Sequence, residues 1–325
     1  MLDVVGYNYK DKYYEVDHKL YPYQPIIGSE NVGQLFEWTA VADKKYIAGI
    51  FVWTGFDYLG ENGPWPARGG NCSFFDFSGN KTARGHFFEC LWKDSPKTHI
   101  VTIPEKDSEF KMNSEGGFTY TPRPGWIRRW EWYDTCDKWN YNKDENILVQ
   151  VYTNAPEVEL FLNGTSLGTK KRSDFTEHNI LMWKVPYKKG TLIAIGKDGG
   201  RTLSQDTLST NGKPSRLAVN CDRKTVTDNG YDLVHVEASI EDKKGNKVVD
   251  MPSDIRLILD DKLELAGLDN GSASIDDLNI RNNSVRTYNG SCLFVLRTIK
   301  GKKGTSSVMV VGDGGIQGRC KIHIQ

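Results

Sequence analysis

The sequence predicts an α/β unit followed by two all-β units, and three observations carry that prediction. Up to about residue 98, near-continuous apolar runs alternate with stretches of helical periodicity, as parallel strands buried on both faces do. From about residue 99, short runs are punctuated by turn residues, as in antiparallel sandwiches. The polar stretch Ser209-Thr210-Asn211-Gly212-Lys213, ahead of Pro214, reads as a linker that divides the β portion in two. A chain of 325 residues accommodates two or three domains of about 100–150 residues each.

Taken in order, "DVVGYNY" is a strand and "YYEVDHKLYP" a short helix stopped near Pro22. "PIIGSE" is a second strand. "QLFEWTAVADKK" places Leu35, Phe36, Trp38 or Thr39, and Ala42 at roughly helical spacing, and "IAGIFVWTGFDY" is a third, continuously apolar strand. The β-α-β-α-β order suits either a doubly wound sheet or part of an eightfold barrel. The nucleotide-binding version lacks its G-x-G-x-x-G loop. Further on, "NILVQVYTN" and "EVELFLNGTSLG" are strands, with Asn163-Gly164 as a hairpin turn. "LMWKVPY" and "GTLIAIGKDGG" continue the first β-unit. "DLVHVEASIEDKKGNKVV", "CLFVLRT", "SSVMVVG" and "CKIHIQ" belong to a second unit of about seven strands.

Composition narrows the function classes. Lys plus Arg and Asp plus Glu both number 42, so the formal net charge is zero and nothing favours phosphate backbones. No apolar run approaches the roughly 20 residues of a membrane helix. The six cysteines form no C-x-x-C pair and no histidine lies at zinc-ligand spacing, so no metal or cofactor is read. The pairing of Cys221 with Cys320 stays open. Met1 runs straight into a strand, with neither a basic start nor an apolar leader, so the chain is expected to begin inside a domain. Of the nine Trp, Trp126, Trp130, Trp132 and Trp139 cluster; they are a candidate sugar-binding face or core filling.

The chemistry gathers at three strand ends. In parallel α/β folds, site residues lie at the C-terminal ends of strands. Here those ends carry Asn8 and Tyr9, then Glu30, then Trp53, with Asp57 and Glu61 just beyond. A carboxylate, a phenol and an indole on one edge suit glycoside hydrolysis, where the carboxylate attacks the anomeric carbon, the phenol orients it and the indole stacks on the sugar. Read alone, Ser29-Glu30 is also a strand-to-helix cap, Tyr9 also packing and Asp57 also a turn acid.

"DVVGYNY", "PIIGSE", "FVWTGFDYLGE" and "VELFLNGTSLG", in this order and spacing, resemble the C-terminal part of glycoside hydrolase family 2, most of all its Bacteroides-type β-galactosidases. The resemblance covers essentially the whole chain. It implies strands six to eight of a (β/α)8 barrel over residues 1–98, with "FFDFSGNKTARGHFFECLW" leading into the last barrel helix. A β-sandwich over 99–212 and an immunoglobulin- or invasin-like sandwich over 213–325 would follow. It implies Glu30 as the nucleophile of a retaining enzyme and Tyr9 as the group that orients it. Asn8, Trp53, Asp57 and Glu61 would bind a β-galactoside-containing oligosaccharide. The compartment stays open, with a periplasmic or secreted full-length parent favoured over a cytoplasmic one.

The family's general acid/base, a Glu after an Asn, has no counterpart: Asn-Glu does not occur, and Asp3, Asp11, Glu15 and Asp17 are the only carboxylates before Glu30. Such a residue contributes about 10²–10⁴-fold, so this chain by itself is expected to be inactive or nearly so. Where the family's β-glucuronidases carry Asn-x-Lys, this sequence reads Asn71-Cys72-Ser73, and the neighbouring Asn80-Lys81 does not fit the spacing. That favours a galactoside over a glucuronide; β-mannosidase is a further family activity. The alternative from another class is a non-catalytic carbohydrate-binding or structural module built on the sandwiches. An open edge on the sixth strand is expected to drive homo-association.

Overall fold

The structure, a computed structural model, describes residues 2–61, 63–125 and 130–325. The first unit comprises β1 (Val5–Asn8), α1 (Tyr14–Leu20), β2 (Ile26–Val32), α2 (Leu35–Thr39), β3 (Ile47–Trp53) and α3 (Ala83–Trp92). β1 pairs with β2, and β2 with β3, both in parallel, so the three C-terminal ends share one edge. α1 gives way at Tyr21 (φ −131°, ψ 68°), because the residue before Pro22 is steered out of the helical region.

Burial on both faces, expected from the apolar run of β3, is not what forms. Tyr14 of α1 and Trp38 of α2 pack on Ile26, Ile47 and Ile50 on one face of the sheet. Neighbouring strand residues point to opposite faces, and Phe51 is 63 % exposed. A sheet with one covering layer buries one side only. Among the described residues the outer edges of β1 and β3 pair with no further strand. Such edges are templates for association, so this chain is expected to form dimers or larger species by light scattering. A clean monomer at high concentration would contradict that.

Packing under β2 is tight. A Cβ on Gly28 would lie 2.2 Å from Asn31 Oδ1 and 2.6 Å from the Tyr14 hydroxyl. Gly28→Ala is expected to cost about 1–3 kcal/mol through overpacking, read as a lowered Tm; an unchanged Tm would mean that this layer is loose.

The next unit holds β4 (Thr98–Pro104), β5 (Phe110–Met112), β6 (Phe118–Tyr120), β7 (Asn146–Thr153), β8 (Glu157–Leu162), β9 (Thr165–Lys171), β10 (Leu181–Pro186), β11 (Thr191–Asp198) and β12 (Arg201–Ser209). Two sheets, ordered β10-β7-β4 and β12-β11-β8-β9, enclose Val149, Val151, Leu160 and Ala194. Asn163 (φ 53°) and Gly164 (φ 80°) make the hairpin turn between β8 and β9, where both central residues need positive φ. A third cluster joins Phe87 and Phe88 of α3 to Val101, Ile103 and Leu148. It fuses the first unit to the second.

The last unit holds β13 (Arg216–Cys221), β14 (Thr225–Val226), β15 (Leu233–Glu241), β16 (Asp254–Ile258), β17 (Leu263–Asp269), α4 (Ile275–Leu278), β18 (Ser284–Arg286), β19 (Ser291–Thr298), β20 (Gly304–Val311) and β21 (Gln317–Ile324). Its sheets are ordered β13-β15-β19-β17 and β14-β21-β20-β16-β18. Val234, Val236, Ala238 and Ile240 alternate inward along β15 and are fully buried. Cys221 and Cys320 are joined as a disulfide from β13 to β21. No helix among the described residues is long and apolar enough to cross a membrane.

Where α3, β4 and β12 meet, the His86 and His99 rings stack with centroids 3.6 Å apart. His99 Nε2 lies 3.2 Å from Asp137 and Nδ1 3.3 Å from Asp206. Burial would lower the His99 pKa, but the two carboxylates outweigh it and push it up to about 9. Burial, aided by the His99 charge, holds His86 down at about 4. With an unfolded value of about 6.5, the His99 contribution is complete below that pH and is lost as pH rises through about 9. The His86 contribution is lost as pH falls through about 4. The junction is therefore expected to be most stable near pH 6.5, and His99→Gln to flatten the alkaline limb of the Tm–pH curve. An unaltered alkaline limb would refute this role of the His99 ion pairs.

Candidate active site

The shared edge of β1, β2 and β3 brings the strand-end residues together. In the parallel register Asn8 pairs with Glu30, and Trp53 pairs with Val32, two residues further along β2. Both pairings slip between Gly28 and Asn31: Tyr7 faces Gly28 and Asn8 faces Glu30, so Ser29 is skipped. A bulge re-aims the side chain beside it and is over-represented next to active sites. Here that side chain is Glu30.

Tyr9 donates its hydroxyl to Glu30 Oε1 at 2.5 Å, and its backbone N–H to the Glu30 carbonyl at 2.8 Å. It does so at φ 53°, a left-handed conformation that non-glycine residues occupy at a cost and that concentrates at functional sites. A bond from a phenol to a carboxylate is charge-assisted and orients the remaining oxygen. Trp130 approaches from the second unit, donating Nε1–H to the Tyr9 hydroxyl at 3.4 Å with its ring edge-on at 5.9 Å. Glu30 and Tyr9 are half-buried and Asn8 is exposed.

Trp53, 37 % exposed, stands at the end of β3. Its indole N–H donates to Tyr58 at 3.1 Å, and the Tyr58 hydroxyl donates to Glu61 Oε2 at 3.1 Å. Burial and the Glu61 bond raise the Tyr58 pKa above the usual tyrosine range, against the Trp53 donor, so the phenol stays protonated and donates. Glu61 is exposed, with φ 51°. Asp57 has a different setting. Its oxygens accept the backbone N–H groups of Tyr58 (3.1 Å), Gly70 (3.0 Å) and Asn71 (3.3 Å), which braces the loop.

Residue-by-residue reading of the sequence missed several partners. Tyr58 lies inside "FVWTGFDYLGE", and its place between Trp53 and Glu61 was not recognised. Behind β2, the buried Asn31 donates to Glu37 Oε2 at 2.6 Å and to the Tyr14 hydroxyl at 3.3 Å. The fully buried Arg84, its pKa lowered by burial to about 10, donates to the Cys72 carbonyl at 2.6 Å and so pins the Asn71-Cys72-Ser73 segment. Of the tryptophans read as a sugar-binding face or as core filling, Trp132 and Trp139 are core: Trp139 fills the space between the two sheets of the second unit, and Trp132 packs with Phe87 and Tyr152. Trp126 lies outside the described residues.

A cleft of about 830 Å³ opens where the three units meet, lined by Asp57, Asn71, Trp132, Lys247 and Asn289 among others. Glu30, Tyr9 and Trp53 do not line it, so its volume reflects the seam between units. One cluster of metal-ligating types occurs among the described residues, with His86, His99 and Asp137 ligand atoms within 4.8 Å of one another. Both His99 nitrogens already face carboxylates, and the stacked rings direct their lone pairs in parallel planes. The cluster is built to hold a proton.

Known proteins share this arrangement of units. A family model described as glycoside hydrolase family 2 C-terminal domain 5 matches residues 217–319, and one described as a domain of unknown function (DUF4982) matches residues 144–204. Beta-galactosidase BoGH2A of Bacteroides ovatus is 28% identical over 287 residues, covering 88% of this chain and 29% of its own length. A Formosa agariphila protein named provisionally as a beta-glucuronidase is 31% identical over 186 residues, covering 55% of this chain and 15% of its own length. A solved glycosyl hydrolase family 2 member from Bacteroides cellulosilyticus superposes with a TM-score of 0.87 at 29% identity, over 100% of this chain and 42% of that one. The chain thus spans less than half the length of each of these relatives. Residues 217–319 thus carry a C-terminal module of glycoside hydrolase family 2, and the chain is similar over most of its length to members of that family.

Proposed function

We propose that residues 1–325 are the C-terminal portion of a retaining β-galactosidase. In this reading β1, β2 and β3 are the sixth to eighth strands of a (β/α)8 barrel, residues 1–98 belong to the catalytic domain, and two immunoglobulin-like sandwiches follow over 99–212 and 213–325. Glu30 attacks the anomeric carbon, the glycosidic C–O bond breaks, and the aglycone leaves with a proton from an acid/base that this chain does not supply. Water, deprotonated by the same group, then attacks the same carbon and releases Glu30. Tyr9 holds one Glu30 oxygen so that the other faces the sugar. Asn8, Trp53 and Glu61 line the pocket, and Asp57 shapes its rim.

The observation that carries the proposal is the Tyr9–Glu30 hydrogen bond at the C-terminal edge of a parallel sheet. The galactoside is favoured by the Bacteroides ovatus relative and by Asn71-Cys72-Ser73, which offers a sugar carboxylate no lysine. The Formosa relative favours a glucuronide, and that is the second reading. The test is hydrolysis of nitrophenyl β-galactoside and β-glucuronide by the native gene product and by the isolated 325-residue chain. The expected result is galactoside turnover by the former and almost none by the latter. Preference for the glucuronide would overturn the substrate, and full activity of the isolated chain would overturn the missing acid/base.

A further inference from the structure

We infer that the last β-unit braces the substrate pocket, with Arg68 and Asp269 as a positioning pair that holds the Trp53–Tyr58–Glu61 rim from behind; this rests on reading the β1–β3 edge as the sugar site. The pair spans 201 residues of sequence. Arg68 grips Asp269 with both terminal nitrogens, at 2.7 and 2.6 Å. Its Nε–H donates to the Ser272 carbonyl at 2.7 Å, and its guanidinium lies 4.2 Å from the Phe77 ring centroid. Asp269 is itself fixed by the Gly271 N–H at 2.8 Å. The Arg68 side chain is only 7% exposed. A bidentate Arg–carboxylate pair of this kind carries geometric specificity as well as energy.

The backbone follows the side chains. The Arg68 and Gly69 N–H groups both donate to the Ala273 carbonyl, at 2.9 and 3.2 Å, and the Ile275 N–H donates to Pro66 at 2.9 Å. Ala67 and Ser274 form an antiparallel bridge. Residues 66–69 are thus a strap laid along an edge of the last unit. The strap continues directly into Gly70 and Asn71, whose N–H groups end on Asp57. Gly69 permits this closeness: a Cβ there would lie 2.5 Å from the Phe77 ring and 2.7 Å from Asp57 Oδ2. From Asp57 the path runs through the Tyr58 N–H to the Tyr58 hydroxyl, which joins Trp53 to Glu61.

The rim needs such an anchor. Phe56, Leu59 and Trp65 are 57%, 71% and 77% exposed, and among the described residues no regular strand or helix lies between β3 and α3. A segment with so little burial does not by itself offset the entropy of being ordered. Glu30 sits on β2 and Tyr9 just past the end of β1, and among the described residues no hydrogen bond joins either of them to residues 66–69. Loss of the clasp should therefore weaken sugar binding far more than it slows bond cleavage.

The test uses the native gene product carrying Asp269→Asn or Arg68→Lys. The latter keeps the charge but loses the two-pronged geometry. Kinetics with nitrophenyl β-galactoside are expected to show KM raised about tenfold, with kcat within about threefold of the parent, the pattern of lost ground-state and transition-state binding alike. Amide hydrogen exchange is expected to speed up over residues 54–71 and to stay unchanged over 26–32. Unchanged KM together with unchanged exchange at 54–71 overturns the inference. If Asp269→Asn also loses protection over 234–241, Arg68→Lys decides, since the same changes with that strand intact support the clasp and no change refutes it. If the parent does not hydrolyse the galactoside, the proposed function fails, and exchange at 54–71 still decides the clasp.

Discussion

Glu30→Gln is expected to abolish galactoside hydrolysis by the native gene product, lowering kcat on the order of 10⁴-fold or more, the scale on which loss of a hydrolase nucleophile is felt. The substitution is nearly isosteric. The amide oxygen still accepts from Tyr9, so the bulge at Ser29 and the packing of β2 are retained and Tm should hold. What is lost is the negative oxygen that forms the bond to the anomeric carbon. A 2-fluoro galactosyl fluoride slows the second step and traps the intermediate. Mass spectrometry is expected to place the sugar on the peptide containing Glu30 in the parent, and to find none in the variant. Retained activity, or a trapped sugar on another carboxylate, removes the assignment.

Tyr9→Phe is expected to give the second largest loss. It deletes the 2.5 Å bond to Glu30 and leaves the Trp130 indole without that acceptor. Hydrogen bonds to charged groups are worth about 1.5–3 kcal/mol. At about 1.36 kcal/mol per tenfold, kcat should fall roughly 10- to 150-fold. The Glu30 trap should still form, only more slowly, because the nucleophile remains. Trp130→Phe, which removes the indole donor to the Tyr9 hydroxyl, should cost less than about tenfold. If Tyr9→Phe is silent in kcat and lowers only Tm, Tyr9 is packing and not an orienting group.

The strand ends were legible because a β-α-β-α-β order forces parallel strands, and parallel strands put their C-terminal ends on one edge. Asn8, Tyr9, Glu30 and Trp53 are gathered on one edge by that rule alone. The hairpin at Asn163-Gly164 and the inward alternation of β15 were equally local, since turn chemistry and a period of two are written in neighbouring residues. Asp57 was less legible. Sequence shows a carboxylate after β3, but whether it faces sugar or backbone depends on where Gly70 and Asn71 return, and they return to its oxygens. The tryptophan cluster stayed open between sugar face and core for a related reason: composition counts aromatic rings, while burial depends on what packs opposite, and Trp132 and Trp139 are covered.

By itself the sequence determined the order of units, the parallel edge and the carboxylate and phenol that stand on it. These follow from short-range periodicity and from chirality rules that hold in any such chain. Only the tertiary structure decided the bulge that turns Glu30, the arrival of Trp130 from 121 residues away, and the clasp of Arg68 to Asp269 across 201. Contacts at such separations leave no periodic trace along the chain. They exist because folding removes water from apolar faces and leaves each buried charge and N–H to find a partner wherever the packed units bring one within reach.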